Sequence, residues 1–343
     1  NNSVLRIKRD LFGRSSVGAM LTNRGAGEEG DHNRVYGVDG NFTFAENLDI
    51  ETFVAKSETP RLMDDEWAAF GRIRWDSDFV LLGAEHFLVQ KNFNAELGFV
   101  PRRDQHMTTI QAGIRPRPNS DMIRQFVFRS RLDLTQNQEG KQESLTYHFF
   151  TFESHFQSGD RFVVDAHRNS ERLFEPFDIR PGEISIPVGA YFGWDAVFFW
   201  DGAPQRRIAG PGLFRYRYEW GFFGGRRIEL RVQPQFKFSD ALSVDLTYAL
   251  DDVRLPWGDF SAKVVNTRIN YAFSNRWLTS ATVQYSNLDQ LVNFRFRLNY
   301  LYRPGDDLFV IYNDGRMVNL DNPRQDALLG RSLILKFTRS FDF

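Results

Sequence analysis

The residues of this chain most able to do chemistry are its arginines, because they fall at alternate positions. In residues 292–302, Asn293, Arg295, Arg297 and Asn299 alternate with Val292, Phe294, Phe296, Leu298 and Tyr300. In residues 227–238, Glu229, Arg231, Gln233, Gln235 and Lys237 alternate with Ile228, Leu230, Val232, Pro234, Phe236 and Phe238. In residues 214–222, Arg215, Arg217 and Glu219 alternate with Phe214, Tyr216, Tyr218, Trp220 and Phe222. A guanidinium is a planar fork of donors that fits carboxylate, sulfate and phosphate. A wall carrying Arg129, Arg131, Arg215, Arg217, Arg231, Arg268, Arg295 and Arg297, with Glu219 and Glu229 among them, suits binding or passage of an anionic or sugar solute. The plainer reading needs no ligand: the same groups are solvated and pair across neighbouring strands.

Other chemistry is thin. Of the six histidines, His148 and His167 come nearest to a constellation, with Asp165 as the carboxylate of a general base. No G-x-S-x-G nucleophile motif accompanies them, so an enzyme is the third choice and none is expected. Gly25 to Asp31 offers Glu28, Glu29 and Asp31, which suit a hard cation beside lipopolysaccharide phosphates. Calcium-loop spacing is not matched there, and a solvated loop is expected. Gly224-Gly225-Arg226-Arg227 reads as a hairpin and not a phosphate loop, since no helix follows. Cysteine is absent, which excludes disulfides, thiolate metal sites and a cysteine nucleophile. The net charge of −1 gives no general pull on nucleic acid. Neither a metal nor a cofactor is expected.

The elements that hold these residues are strands. Alternation at period two places the charged set on one face and the apolar set on the other. About 19 such segments run through the 343 residues, almost none with a helical period. Most reach the nine to eleven residues, roughly, that a tilted strand needs to cross a bilayer. No run of about 18 apolar residues exists, so no helix crosses. A mean hydropathy of −0.43 does not oppose a barrel, because half of each strand is polar. Residues 145–156 read poorly, with aromatics on both faces, as a bulge or a plug contact would produce.

Two features favour a membrane barrel over a soluble sandwich or propeller. Short turns at 12–14, 46–48, 76–78, 239–240, 274–276 and 303–306 interleave with longer polar loops at 24–34, 57–65, 90–105, 136–143, 251–258 and 313–327. Strands entering the short turns carry outward aromatics: Phe42 and Phe44, Trp75, Phe236 and Phe238, Tyr271 and Phe273, Tyr300 and Tyr302. The last stretch, 332–343, alternates and ends on Phe337, Phe341 and Phe343, the expected signal for the barrel-assembly machinery. The expected fold is therefore all-β: one transmembrane antiparallel β-barrel of about 18–20 strands over residues 1–343, in the outer membrane of a Gram-negative bacterium. Its partners there are lipid and lipopolysaccharide. Strand parity, with no signal peptide ahead of Asn1, predicts at least one further strand upstream.

Val4-Leu5-Arg6-Ile7-Lys8-Arg9-Asp10, Arg14-Ser15-Ser16-Val17-Gly18 and Thr22-Asn23-Arg24 resemble the start of a bacterial family, domain of unknown function 5916. The stretch from Tyr302 to Asn313 and Leu335-Lys336-Phe337-Thr338-Arg339 resemble its end. Its members join an amino-terminal domain, similar to family-nine carbohydrate-binding modules, to a carboxy-terminal outer-membrane barrel. The resemblance implies location and fold, a missing amino-terminal domain as partner, and a glycan-derived solute. Three functions are thus carried forward. They are passage or capture of a polar or anionic solute, a plugged anchor holding a periplasmic or surface partner or another subunit, and a barrel hydrolase.

Overall fold

Period-two alternation becomes antiparallel sheet along the whole chain. The computed structural model describes residues 1–25, 31–100, 102–303, 305–318 and 326–339, and among them every regular element is a strand. In order these are β1 (Asn2–Asp10), β2 (Ser16–Gly25), β3 (His32–Phe44), β4 (Leu48–Glu58), β5 (Trp67–Asp76), β6 (Val80–Val89), β7 (Gln105–Ile114), β8 (Ile123–Gln136), β9 (Gln142–Phe156), β10 (Arg161–Leu173) and β11 (Phe177–Arg180). Then follow β12 (Ile184–Ile186), β13 (Gly189–Gly202), β14 (Ile208–Phe222), β15 (Gly225–Val232), β16 (Gln235–Lys237), β17 (Leu242–Leu255), β18 (Gly258–Ala272), β19 (Trp277–Ser286), β20 (Leu291–Arg303), β21 (Asp306–Met317) and β22 (Ala327–Thr338). Twenty belong to one sheet, and β11 with β12 form a separate two-stranded one. No described helix is long and apolar enough to cross a membrane.

The chain divides into two compact units. One comprises Asn1–Pro118, Gln125–Phe152 and Ala166–Trp194; the other comprises Asn119–Arg124, Glu153–Asp165 and Asp195–Phe343. In the first, β1 to β8 pair in sequence as antiparallel neighbours. In the second, β14 pairs with β15 and β16, both pair with β17, and β17 to β22 follow in sequence.

One expected run, 227–238, is two strands. The ladder breaks at Gln233-Pro234, where proline has no N–H to donate. The strands also run further than their sequence pattern suggests. The expected outer loop 251–258 is instead the end of β17, a Pro256-Trp257 turn and the start of β18. The loop expected at 136–143 shrinks to 137–141 between β8 and β9. Ladder hydrogen bonds continue through these polar residues, because backbone pairing does not require apolar side chains. The turn expected at 46–48 forms one residue earlier, with Ala45 and Glu46 both in the left-handed region.

β9 carries the expected irregularity. Phe149 and Phe150 are consecutive yet both exposed. The Phe149 ring meets Trp194 at 5.8 Å, and the Phe152 ring meets Phe128 at 5.2 Å. All four lie with the apolar side chains. Residues three apart share a face only if one extra residue intervenes, which is a bulge.

The β14–β15 hairpin turns through Phe223 and Gly224, both at positive φ. Gly225, which follows, lies against the Arg254 carbonyl so closely that a Cβ there would overlap it. Gly225→Ala should therefore cost roughly 1–3 kcal/mol by forcing β15 away from β17. Denaturant unfolding followed by tryptophan fluorescence would read it. An unchanged midpoint would mean the hairpin yields freely.

Candidate functional site

Cross-strand partners share a face, so register assigns every side chain a side. In the first unit one face carries Arg6, Asp39, Asp49, Glu51, Arg72, Arg74, Glu85, Arg131 and Asp133. The opposite face carries Val38, Val54, Ile73, Leu82 and Ile110, all exposed, with Val38 at 61%. The charges pair. Arg6 spans β2 to reach Asp39 through bonds of 2.5 and 2.8 Å. It passes over Gly18, where a Cβ would sit 2.7 Å from the guanidinium. Arg72 meets Glu51 at 2.5 Å, Arg74 meets Asp49 at 3.1 Å, and Arg131 meets Asp133 at 2.8 Å. Arg129 lies two residues before Arg131, on the same face.

One part of this charged face is apolar. The rings of Phe53, Phe70 and Phe87 lie 5.8 to 6.3 Å apart, in register with Glu51, Arg72 and Glu85 one step along. Above them Val35, Ala68 and Val89 form a small core with Phe93. Phe93 belongs to the β6–β7 connection, so that connection folds onto the charged face. Polar bonds fix it there. Asn33, 1% exposed, donates to Thr59 Oγ1 and to the Asn94 carbonyl, both at 2.8 Å, and accepts from the Glu96 N–H. The Asn94 N–H donates to Ser57 Oγ at 2.9 Å, and Arg24 pairs with Glu96.

In the second unit the predicted arginines separate into two groups. Arg215, Arg217, Glu219, Glu229 and Arg231 come together on β14 and β15. Sequence reasoning missed their partners Asp195, Arg227 and Asp251. Arg217 bridges Asp195 and Glu219 at 2.5 Å each, and Arg227 meets Asp251 at 2.6 Å. Arg227 also lies 3.9 Å from Glu219 and from Glu229, and Arg215 lies 3.7 Å from Glu229. The side chains of Asp195 and Glu219 are 2% and 5% exposed. Four guanidinium groups face four carboxylates, so the cluster is neutral. Its charges pair with one another across β13, β14, β15 and β17, except that Arg231 has no ion-pair partner among the described residues. Parity alone could have found Asp195, since it alternates with Phe192 and Trp194 on β13.

Arg268, Arg295 and Arg297 form the other group and have no carboxylate within ion-pair distance among the described residues. Arg295 donates to Asn313 at 3.0 Å, and Arg297 packs over the Phe309 ring at 4.5 Å. The apolar face opposite carries aromatic pairs beside the short connections. Trp277 and Tyr300 lie at 4.4 Å, and Tyr271 and Phe273 at 4.7 Å.

The remaining candidates are quickly placed. The rings of His148 and His167 lie 4.4 Å apart, and Asp165 is two residues before His167 on β10. Glu28 and Glu29 of the proposed cation loop lie outside the described residues, as do Phe341 and Phe343. Phe337 is exposed on β22. A scan against family models and a search of curated proteins both find no match for this chain.

Two outcomes follow. Arg217→Met strands two buried carboxylates and should cost about 3–5 kcal/mol, whereas Arg297→Met should cost under about 1 kcal/mol. Paired unfolding curves give the comparison, and equal losses would refute the division. Asn33→Ala should release the β6–β7 connection, with trypsin cutting at Lys91, Arg102 or Arg103 about tenfold faster. An unchanged cleavage rate would show that the apolar contacts alone hold it.

Proposed function

We propose that this protein is an integral outer-membrane β-barrel whose charged face lines a watery interior and passes or captures a polar or anionic solute. The observation that carries the reading is the polarity of the sheet within each unit. In the first, Val38, Ile73 and Leu82 stand exposed opposite the charged face; in the second, Val265, Ile269, Leu333 and Leu335 do so. Exposed apolar area on this scale has no counterpart on a monomer in water and suits contact with lipid. Most strands of the main sheet have between 9 and 15 residues, enough to cross a bilayer when tilted. Aromatic pairs beside the short connections fit an interfacial girdle. A glycan-derived solute follows from the family resemblance alone.

A second reading has its own support. The β6–β7 connection is fixed on the charged face by the Asn33 network, as a plug would be. In that case the barrel is an anchor with a narrowed or closed interior.

Single-channel recording in planar bilayers separates the two. Large conductance that scales with salt supports passage, and silence supports the anchor. Phe296→Arg places a charge on the lipid side and should destabilise the protein in vesicles by roughly 2–4 kcal/mol. Its neighbour Arg295→Leu should change conductance with little loss of stability. The opposite pattern would invert the assignment of faces.

A further inference from the structure

The second unit holds a cavity of about 760 Å³ on its charged face, lined by Arg207, Lys237, Asn270, Arg297 and Asn299. Register explains its lining. Lys237 partners Ser243, Ser243 partners Asn270, Asn270 partners Ser280, and Ser280 partners Arg297. These five residues form one row across β16 to β20, with two cations at its ends and hydroxyls and an amide between. We propose that this row binds a small acidic sugar: a ring or a few rings bearing a carboxylate, sulfate or phosphate. The assignment rests on the charged face being wet and open to solutes, as proposed above.

Charge selects the class. Arg207, Lys237 and Arg297 have no carboxylate within ion-pair distance among the described residues, nor do Arg268 and Arg295 one row away. Asp240, Asp245 and, one row beyond Asn299, Asp307 are the carboxylates of the same region. Asp245 is already engaged by Gln235 at 2.8 Å and Asn270 at 3.0 Å. Five cations stand against three carboxylates, a surplus of two. The neutral Arg217 cluster on the same unit has no such surplus, so the excess belongs to this cavity and not to the face in general. A cation would be repelled here, and an oxyanion would be held at one end of the row by Arg297 or at the other by Lys237, whose Nζ also donates to the Pro204 carbonyl.

The remaining lining selects a sugar over a bare ion. Asn299 lines the cavity, and its side-chain amide suits a solute hydroxyl. Ser243 and Ser280 add hydroxyls along the row. The Arg297 guanidinium lies 4.5 Å from the centre of the Phe309 ring, a contact that restricts its motion. The volume matches pockets that enclose small organic ligands and exceeds what a sulfate ion would need.

The test uses the purified protein in detergent and isothermal titration calorimetry with trigalacturonate, maltotriose and inorganic sulfate. Trigalacturonate should bind at least about tenfold more tightly than either control, and the advantage should shrink as salt rises. The double variant Lys237→Gln/Arg297→Gln should lose about tenfold or more, while Arg254→Gln, an ion-paired arginine outside the cavity, should match the parent. Equal binding of maltotriose, or full affinity in the double variant, would overturn the assignment. If the double variant misfolds, the single change Asn299→Ala is read instead and should weaken trigalacturonate without altering sulfate. Binding in detergent requires no passage across a bilayer. A silent channel with intact binding would end the passage reading and leave the site, and conductance without binding would do the reverse.

Discussion

Side-chain alternation across a hydrogen-bonded ladder is the constraint on which everything else depends. A slip of one residue in any pairing would send every charge of that strand to the apolar face. The register does not allow it. Arg217 meets Glu229 while Tyr218 meets Ile228; Arg295 meets Thr282 while Phe294 meets Val283. Among the described residues, the register shifts in the main sheet fall near strand ends, at 220–222, 301–303 and 315–316, where the change of phase displaces few side chains. The bulge in β9 is the exception. It lies mid-strand and leaves the consecutive Phe149 and Phe150 both exposed.

Given two faces of opposite polarity, the charged face must still dispose of its charge. It does so in two ways. In the first unit and around Arg217, guanidinium groups bond carboxylates on the next strand, and burial then makes removal of one partner costly. Such pairs hold neighbouring strands in register. Around Lys237 and Arg297 the carboxylates are fewer and already occupied by amides. Repulsion among the surplus cations is tolerable only where water or a counter-charge reaches them, since an unpaired charge in a dry interior would cost far more than the fold can supply. The distribution of carboxylates therefore decides where chemistry can happen on an otherwise uniform wall.

The sequence carried the strands and their faces because period two is a local signal. About nineteen runs were legible. The main sheet has twenty strands, the difference being the run that Pro234 divides into β15 and β16. Strand ends were less legible, as with β17 and β18, where polar residues such as Asp251, Asp252 and Asp259 continue the ladder. The short β11–β12 pair left no periodic signal, though Ile186 within it is 0% exposed. For the site, parity marked which arginines share a face and could not say which were neutralised. That depends on neighbours distant in sequence: Asp195 is 22 residues from Arg217, and Asp251 is 24 from Arg227. Pairing across strands is a property of register, and no single strand contains it.

The aromatic patch on the charged face sharpens the same argument. Phe53, Phe70 and Phe87 occupy positions where the pattern calls for polar residues, and alternation alone makes them an error. They cease to be one when Phe93 and its connection cover them, because the rings then face protein and not water. Burial of these rings favours the folded connection, and the Asn33 network satisfies the polar atoms that the cover would otherwise strand. A departure from binary pattern thus marks the place where a loop turns inward. At Lys237, Asn270 and Arg297 in the second unit the pattern is kept, and the β13–β14 connection borders the row through polar groups, with Lys237 Nζ donating to the Pro204 carbonyl and Arg207 lining the same cavity. In the first unit part of the charged face is filled from within the chain, and in the second the row at Lys237, Asn270 and Arg297 stays polar and cationic.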